Sequence, residues 1–578
     1  MLSRASNVAA DGAIAIPLVI GVTSHRNIPV AEIPAVRARV AALFARLRQE
    51  FPSLPLIVLS ALAEGGDQLV AEEALAAGAR LIAPLPMLRS EYVEDFPQGP
   101  ARARFDALCD AAEVIELPLA EFAQRRTRAE APAGHERNLR YAQAGVFISQ
   151  HCHLLLAIWD GKTSDRLGGT AQVVRFHLTG VRLAPNERRR GLARAALLGV
   201  DSERLVYHIV CSRDEADGAP EPPLQPLQTF WRAGDETFAG DAPMPLQFRQ
   251  MFEHAAVFEA DGAKYASAIG APSPVAGEPG GRLGRLFHAA DWLAVHFQKR
   301  VLWAMRTLYT VAALMGIAFT VYDNLPAHDY MINVFLLLFA IAGLVVGMAN
   351  RRDWHRKYLD YRALAEGLRV QSFWRRAGLS ITGDAEFARD NFLQKQDVEL
   401  GWIRNVMRSA ALESSFAATP AAAQDLPSVV REWVGNAGEG GQLDYYRRKG
   451  MLRASTHRRT EVIGAAALFV GIGISVVLAL MASRLSVDAK NWLVVVMAAF
   501  SIVAAVREAY AYRKADKELI KQYRFMQKLF ADARAALDRA DDDDERRDIL
   551  RLLGEAALSE HVEWALMHRA RPLQHARP

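Results

Sequence analysis

The stretch Met331-Ile-Asn-Val-Phe-Leu-Leu-Leu-Phe-Ala-Ile-Ala-Gly-Leu-Val-Val-Gly-Met-Ala349 carries no charge over 19 residues. A membrane-spanning helix needs about 20 mainly apolar residues, so this stretch reads as a span. Three other runs read the same way: Leu302–Tyr322, Val462–Ala482 and Trp492–Val506. Arg306, near the start of the first, can snorkel to the interface. The last is short, but Trp492 makes an interfacial anchor and Arg507 follows it directly. The expected chain is therefore an integral membrane protein, with an all-α membrane domain of four transmembrane helices in two hairpins.

Charge at the ends of these runs sets the expected orientation. The link Asp323–Tyr330 has no Lys or Arg, whereas Arg351, Arg352, Arg356 and Lys357 follow the second run. Arg447, Arg448, Lys449 and Arg453 precede the third, and Arg513 and Lys514 follow the fourth. Basic flanks stay on the cytoplasmic side, which puts both termini in the cytoplasm and, for a bacterium, the protein in the inner membrane. Each hairpin is followed by a charged helical stretch, from Trp354 in the first and from Tyr510 in the second, so a duplicated unit is expected. No Asp, Glu, Lys or His lies well inside a run, which weakens a proton-coupled transporter. Gly343-x-x-x-Gly347 and Ala467-x-x-x-Gly471 allow close helix approach, within one subunit or between copies.

The rest of the chain looks soluble. Its 578 residues exceed a single core. A net charge of +4, from 69 Lys and Arg against 65 Asp and Glu, does not call for nucleic acid. Cys109, Cys152 and Cys211 are far apart, which argues against a zinc site or disulfide framework and fits a reducing cytosol; no metal and no cofactor are expected.

Up to about residue 215, short apolar runs alternate with amphipathic stretches. Strands are expected at Ile16–Val22, Leu56–Ser60, Leu81–Pro86, Val114–Leu117, Cys152–Asp160 and Leu205–Cys211, with helices at Val36–Glu50 and Gln68–Ala77 among those between them. That pattern gives an α/β Rossmann-like domain with a parallel sheet covered on both faces. Ligands of such sheets bind at the carboxyl ends of the strands.

Three motifs fall at those ends. In Gly21-Val22-Thr23-Ser24-His25-Arg26, Gly21 permits a tight turn, the hydroxyls donate and Arg26 suits a phosphate. Glu64-Gly65-Gly66-Asp67 opens a helix whose N-terminus suits an anion, and Asp67 suits a ribose hydroxyl. Asp160-Gly161 is followed by Gly168-Gly169-Thr170 at another helix start. Asp67 and Thr170 also read as plain N-caps, and the glycines as turn residues. Together the three make a nucleotide-type pocket.

These motifs, with Ala71 and Leu85-Pro86, resemble the SLOG superfamily, Rossmann-like sensors of nucleotide derivatives related to the LOG phosphoribohydrolases. Trp354–Trp374, Gly401-Trp402-Ile403-Arg404 and Glu563-Trp564…His568-Arg569 resemble the SLATT group of two-helix membrane effectors. The resemblance implies a sensor of a cyclic nucleotide or ADP-ribose-type signal that drives pore formation or membrane disruption in a homo-oligomer, in antiphage defence. The LOG motif carries a catalytic Glu three residues after its Thr. Aligned on Thr170, that position holds Val173, with Gln172 beside it, so the resemblance implies binding without catalytic residues. A membrane-tethered phosphoribohydrolase is the alternative, with Glu64 or Asp67 in the missing role; a regulated housekeeping channel or transporter is the third.

The expected organisation is a SLOG-like domain at 1–215, a Pro/Gly-rich extension at 216–290, the first hairpin unit at 291–410, an insert at 411–445 and the second hairpin unit at 446–578. Asp541–Glu545 reads as a solvated break between helices.

Overall fold

A computed structural model of the protein describes residues 14–117, 135–164, 166–179, 204–270, 282–379, 400–416, 425–481 and 483–569. They fall into two units, one drawn from Met1–Ala289 and Ser380–Pro420, the other from Ala290–Leu379 and Ala421–Pro578.

The first unit is built on an eight-stranded mixed sheet. Its strands are β1 Leu18–Ser24, β2 Leu56–Leu59, β3 Arg80–Leu85, β4 Glu113–Glu116, β5 Leu154–Trp159, β6 Leu205–Val210, β7 Thr229–Ala233 and β8 Glu236–Ala239. The order across the sheet is β4-β3-β2-β1-β5-β6-β7-β8. Neighbours from β4 to β6 are parallel. Strands β2, β5 and β6 are buried along their whole length, the state that continuous runs such as Leu154-Leu-Leu-Ala-Ile-Trp159 require when helices cover both faces. The connections carry α1 Ile33–Glu50, α2 Gly66–Ala76, α3 Pro100–Ala111, α4 His135–His151 and α5 Thr170–Thr179. The six expected strands lie within two residues of the observed ones.

The sheet does not stop at residue 215. Strands β7 and β8 come from the Pro/Gly-rich extension and pair antiparallel with β6 and with each other. Gly234-Asp235 closes their hairpin with Gly234 at positive φ, as a two-residue turn requires. The extension then forms α6, Leu246–Lys264. Gly401-Trp402-Ile403-Arg404, grouped by resemblance with the membrane half, instead opens α10, Gly401–Phe416, in this first unit. Trp402 is fully buried beside Phe258 of α6. His153, just before β5, ties α10 to the central strand β1, accepting from Val19 N at 3.2 Å and donating to Asn405 O at 2.9 Å. The boundary expected at residue 410 thus gives way to a helix that completes the α/β core. Of the expected insert, residues 417–424 lie outside the described residues.

In the second unit four helices are long and apolar enough to cross a membrane. They are α7 Arg282–Asn324, whose residues from Ala290 belong here, α8 Met331–Arg351, α11 Gly441–Met481 and α12 Val487–Arg513. At 1.5 Å per residue the 43-residue α7 runs about 65 Å, roughly twice a bilayer's hydrocarbon thickness. A bilayer would take one section of this longer helix. On α8, Leu336, Phe339 and Leu344 are 56%, 62% and 65% exposed, a surface suited to lipid and not to water.

The two hairpins share a corner. In each, the second apolar helix is followed by a residue with left-handed backbone, Asp353 (φ 49, ψ 36) and Ala515 (φ 52, ψ 39). Each then starts an exit helix, α9 Trp354–Arg376 and α13 Asp516–Arg539. Two non-glycine residues in this costly conformation at equivalent places support the repeat. They also correct its register. Tyr510 lies within α12, so Trp354 corresponds to Asp516 and Tyr361-Arg362 to Tyr523-Arg524. The closing helix is α14, Asp543–Arg569. The acidic run before it is a capping device: Asp542 accepts from Glu545 N at 2.7 Å, and Glu545 accepts from Asp541 N at 3.1 Å.

Close helix approach is used unevenly. A Cβ on Gly471 would lie 3.2 Å from Ser501 Oγ, so the Ala467/Gly471 face packs within the subunit. A Cβ on Gly343 or Gly347 would meet nothing within 4 Å.

Candidate functional site

The sheet grows from β1 in two directions, through β2 to β4 and through β5 to β6. The reversal between β1 and β5 is the topological switch point, where open parallel sheets bind ligands at their carboxyl ends. Thr23, His25 and Arg26 from the end of β1, Glu64, Gly65, Gly66 and Asp67 from the β2–α2 turn, and Asp160 and Thr170 from the β5–α5 connection gather at that end.

Hydrogen bonds tie the three segments together. Ser24 Oγ donates to Asp67 Oδ1 at 2.5 Å, and Thr170 Oγ1 donates to Ser24 O at 2.8 Å. His25 Nε2 lies 3.0 Å from Asp160 Oδ1, which also accepts from Lys162 N at 3.1 Å. Gly66 N donates to His25 O at 3.2 Å. The glycines make this approach feasible. A Cβ on Gly65, whose φ is 92°, would sit 2.1 Å from Arg26 O, and one on Gly66 would sit 2.6 Å from Ser24 Cβ. The Glu64-Gly65-Gly66-Asp67 motif is thus explained first by backbone crowding against β1.

Other motif residues have different work from that expected. Gly21 lies inside β1 and opens no turn; it leaves room for Ile148 and Cys152 of α4 and the turn after it, which a Cβ would approach within 2.7 and 2.9 Å. Gly161 packs beneath Leu224, and Gly168 against Tyr141 and Ala142. The N–H groups of Gly168 and Gly169 are already engaged, with Gln172 Oε1 at 2.6 Å and Arg166 O at 3.2 Å. That leaves the first amides of α5, at Thr170 and Ala171, as this motif's contribution to an anion seat. Val173 is buried in the apolar core, against Gly145. Gln172 is spent on its loop. Neither does acid–base work.

The electrostatics are mixed. Burial pushes the Asp67 carboxyl up to about 6, against the opposing effects of Ser24 and Arg26. Burial also pushes Asp160 up, but His25, the Lys162 amide and Arg213 together hold that carboxyl below its usual range. Arg26 stands over the Tyr141 ring at 5.6 Å. Tyr141 donates to Asp95, and Arg137 bridges both, at 2.9 Å to Asp95 Oδ1 and 3.0 Å to Tyr141 Oη. Sequence reasoning missed Tyr141, Arg137 and Asp95. The i, i+4 pair Arg137/Tyr141 marks one helix face, but no local pattern connects residues 95 and 141 with residue 26.

Comparison with protein-family models, curated proteins and solved structures finds no match for this chain.

Proposed function

We propose that this protein is a ligand-gated membrane effector. The α/β unit binds a nucleotide-derived small molecule in the crevice at the ends of β1, β2 and β5, and the four-helix unit of a homo-oligomer responds by opening or disrupting a bacterial inner membrane. Both termini then lie in the cytoplasm, and the resemblance to SLOG and SLATT proteins gives antiphage defence as the setting. The observation that carries this reading is the convergence, at the switch point of a parallel sheet, of Arg26, the N-terminus of α2 and the N-terminus of α5. A guanidinium beside two helix N-termini suits a phosphate, and burial of the LOG-type Glu position as Val173 favours binding without turnover. A ligand can drive the membrane response only through its difference in affinity for two states.

A second reading has one observation in its favour. Asp67, pushed up to about 6, stands near neutrality as a general acid should, which fits a membrane-tethered phosphoribohydrolase.

The test uses the full chain in nanodiscs, because α10 completes the α/β core from beyond the first two spans. Thermal unfolding is followed with cyclic nucleotides, ADP-ribose derivatives and nucleoside monophosphates, and each ligand is recovered afterwards. At 100 times its dissociation constant a ligand adds about 2.7 kcal/mol. A shift with intact ligand, lost in Arg26→Ala and coupled to liposome leakage, supports the effector. Cleaved ligand moves the protein to the enzyme reading. No shift with any compound overturns both.

A further inference from the structure

The helical unit holds a cavity of about 430 Å³ at the basic ends of the spans. That is within the ~300–1,000 Å³ range of small-molecule sites. Every span contributes to it directly or through its flank. Arg306 comes from the first span, His355 from just after the second, Arg453 from just before the third and Arg513 from the end of the fourth helix. The exit helix α9 adds Tyr358 and Arg362, and the closing helix α14 adds His561 and Trp564.

The charge is one-sided. Six cations line the cavity: Arg306, Arg362, Lys449, Arg453, Arg513 and Lys514. Against them stand two lining carboxylates, Glu366 and Glu560, and two behind the wall. Asp291 pairs with Arg362 at 2.9 Å, and Asp516 lies 3.6 Å from Arg453 and 3.4 Å from Lys514. Arg369 pairs with Glu366 from behind the wall, so seven cations stand against these four carboxylates and positive charge is in excess with every one of them ionised. Burial and Glu563 push Glu560 up, which widens the excess.

Hydrogen-bonding capacity is also left over. Arg513 Nη2, His355 Nδ1 and His561 Nε2 are buried and have no partner among the described residues. Burial pushes His561 down to about 3 despite Glu366, so its ring is neutral. Buried polar groups are normally satisfied, and an unmet guanidinium N–H beside an uncompensated positive charge calls for an anion with several acceptor oxygens. A carboxylate offers two oxygens and one charge. A phosphomonoester offers three oxygens and close to two charges. The aromatic wall of Tyr445, Tyr523 and Trp564 suits the organic body behind it.

We infer that this cavity is a phosphate-recognition site, taking the phosphomonoester of an anionic lipid headgroup or of a soluble organic phosphate, and that its occupant draws together the basic ends of all four spans. The site is independent of the crevice on the sheet and rests only on the helical unit.

The test uses full-length protein in nanodiscs and reads the thermal midpoint and tryptophan fluorescence, which Trp564 reports. Two probes separate the sources: pyrophosphate added to phosphatidylcholine nanodiscs, and nanodiscs containing phosphatidic acid without added phosphate. A saturable response to pyrophosphate assigns a soluble phosphate; a response to phosphatidic acid alone assigns a lipid headgroup. In either case Arg513→Gln weakens the response at least tenfold, while Arg513→Lys keeps part of it. Lys449→Glu, at an exposed position on the cavity rim, weakens it without risk to folding. Arg534→Gln, on an exposed i, i+4 pair elsewhere, leaves it unchanged. No response to either probe, or a response that survives both Arg513→Gln and Lys449→Glu, overturns the inference.

Discussion

The crevice above the sheet and the cavity among the helices are made of the same residue types, yet most crevice groups are bonded to one another while the cavity keeps several unmet donors. In the crevice Asp67 and Asp160 are 5% and 2% exposed; Ser24 donates to Asp67, and His25 Nε2 lies 3.0 Å from Asp160 without hydrogen-bond geometry. The loop amides of Gly66, Gly168 and Gly169 are also engaged. In the cavity Arg513, His355 and His561 keep buried nitrogens without partners among the described residues. A largely self-bonded site draws its shape from internal bonds, and a ligand adds to an arrangement that already exists. A site with unmet donors holds a cost that only its ligand removes. Substitutions that break the bonds among the crevice groups should therefore cost stability, and substitutions of the cavity's unmet donors should cost binding and not stability.

The same change at two glycines gives the largest contrast. Gly65→Ala forces a side chain into φ 92°, ψ −122° and within 2.1 Å of a backbone oxygen. It should cost more than about 3 kcal/mol. Hydrogen exchange at the β1 and β2 amides would show it as loss of protection. Gly450→Ala, in α11 beside Lys449, places its Cβ 3.5 Å from Tyr523 Cβ, an ordinary contact. It should stabilise the helical unit by about 0.5–1 kcal/mol, the helix-propensity gain. If both changes destabilise alike, the cavity wall is as tightly interlocked as the crevice, and the contrast fails.

Acidity sharpens the comparison next. The Asp67 carboxyl is raised from 3.8 to about 6. A raised folded value means the contribution is fully present below the unfolded value, near pH 4, and is lost as pH rises through 6. Asp67→Asn keeps an acceptor for Ser24 and removes the buried charge. It should match the wild type near pH 4 and exceed it at pH 8 by about 2–3 kcal/mol, from about two units at 1.36 kcal/mol each. His153 has the opposite sign. Burial pushes it down to about 3, so stability present above pH 6.5 drains away as pH falls toward 3. Thermal midpoints of wild type and Asp67→Asn between pH 4 and 8 separate the two. A constant difference across that range would mean that Asp67 is ionised throughout.

How much of this was legible in the sequence follows from the range of the forces involved. The inner strands could be read because a buried parallel strand must be apolar at every position, as Leu154–Trp159 is. The four long apolar helices could be read because length and composition alone mark them. The hairpin β7–β8 carried a usable signal, Gly234-Asp235 between Thr229-Phe-Trp-Arg-Ala and Glu236-Thr-Phe-Ala, obscured by the prolines before it. The return of α10 to the first unit was not legible, because its apolar face states that it packs and not on what. The repeat was visible but misregistered by six residues, since Tyr510 and Trp354 look alike as aromatic helix starts while the true marker, a left-handed corner at Asp353 and Ala515, has no glycine to announce it. In the crevice the strand ends pointed to His25, Arg26, Asp67, Asp160 and Thr170. Gly21 was misread because a glycine that admits a neighbouring helix and one that turns a chain look the same.

The smallest expected effect bears most directly on the cavity. Without a ligand, its excess positive charge repels itself and Arg513 Nη2 remains unmet. Arg513→Gln removes one charge and shortens the side chain, so the ligand-free helical unit should be stabilised by roughly 0.5–1 kcal/mol at low ionic strength. Raising the salt to about 1 M shrinks the screening length to about 3 Å, and the difference should then fall toward zero. A residue kept for binding at a cost in stability behaves in this way; a residue kept for packing would destabilise on removal at either salt concentration. Thermal midpoints of the two proteins in phosphatidylcholine nanodiscs, at 0.05 M and 1 M sodium chloride, decide between them. A loss of stability that salt does not alter would make Arg513 a structural residue and return the cavity to an ordinary packing defect.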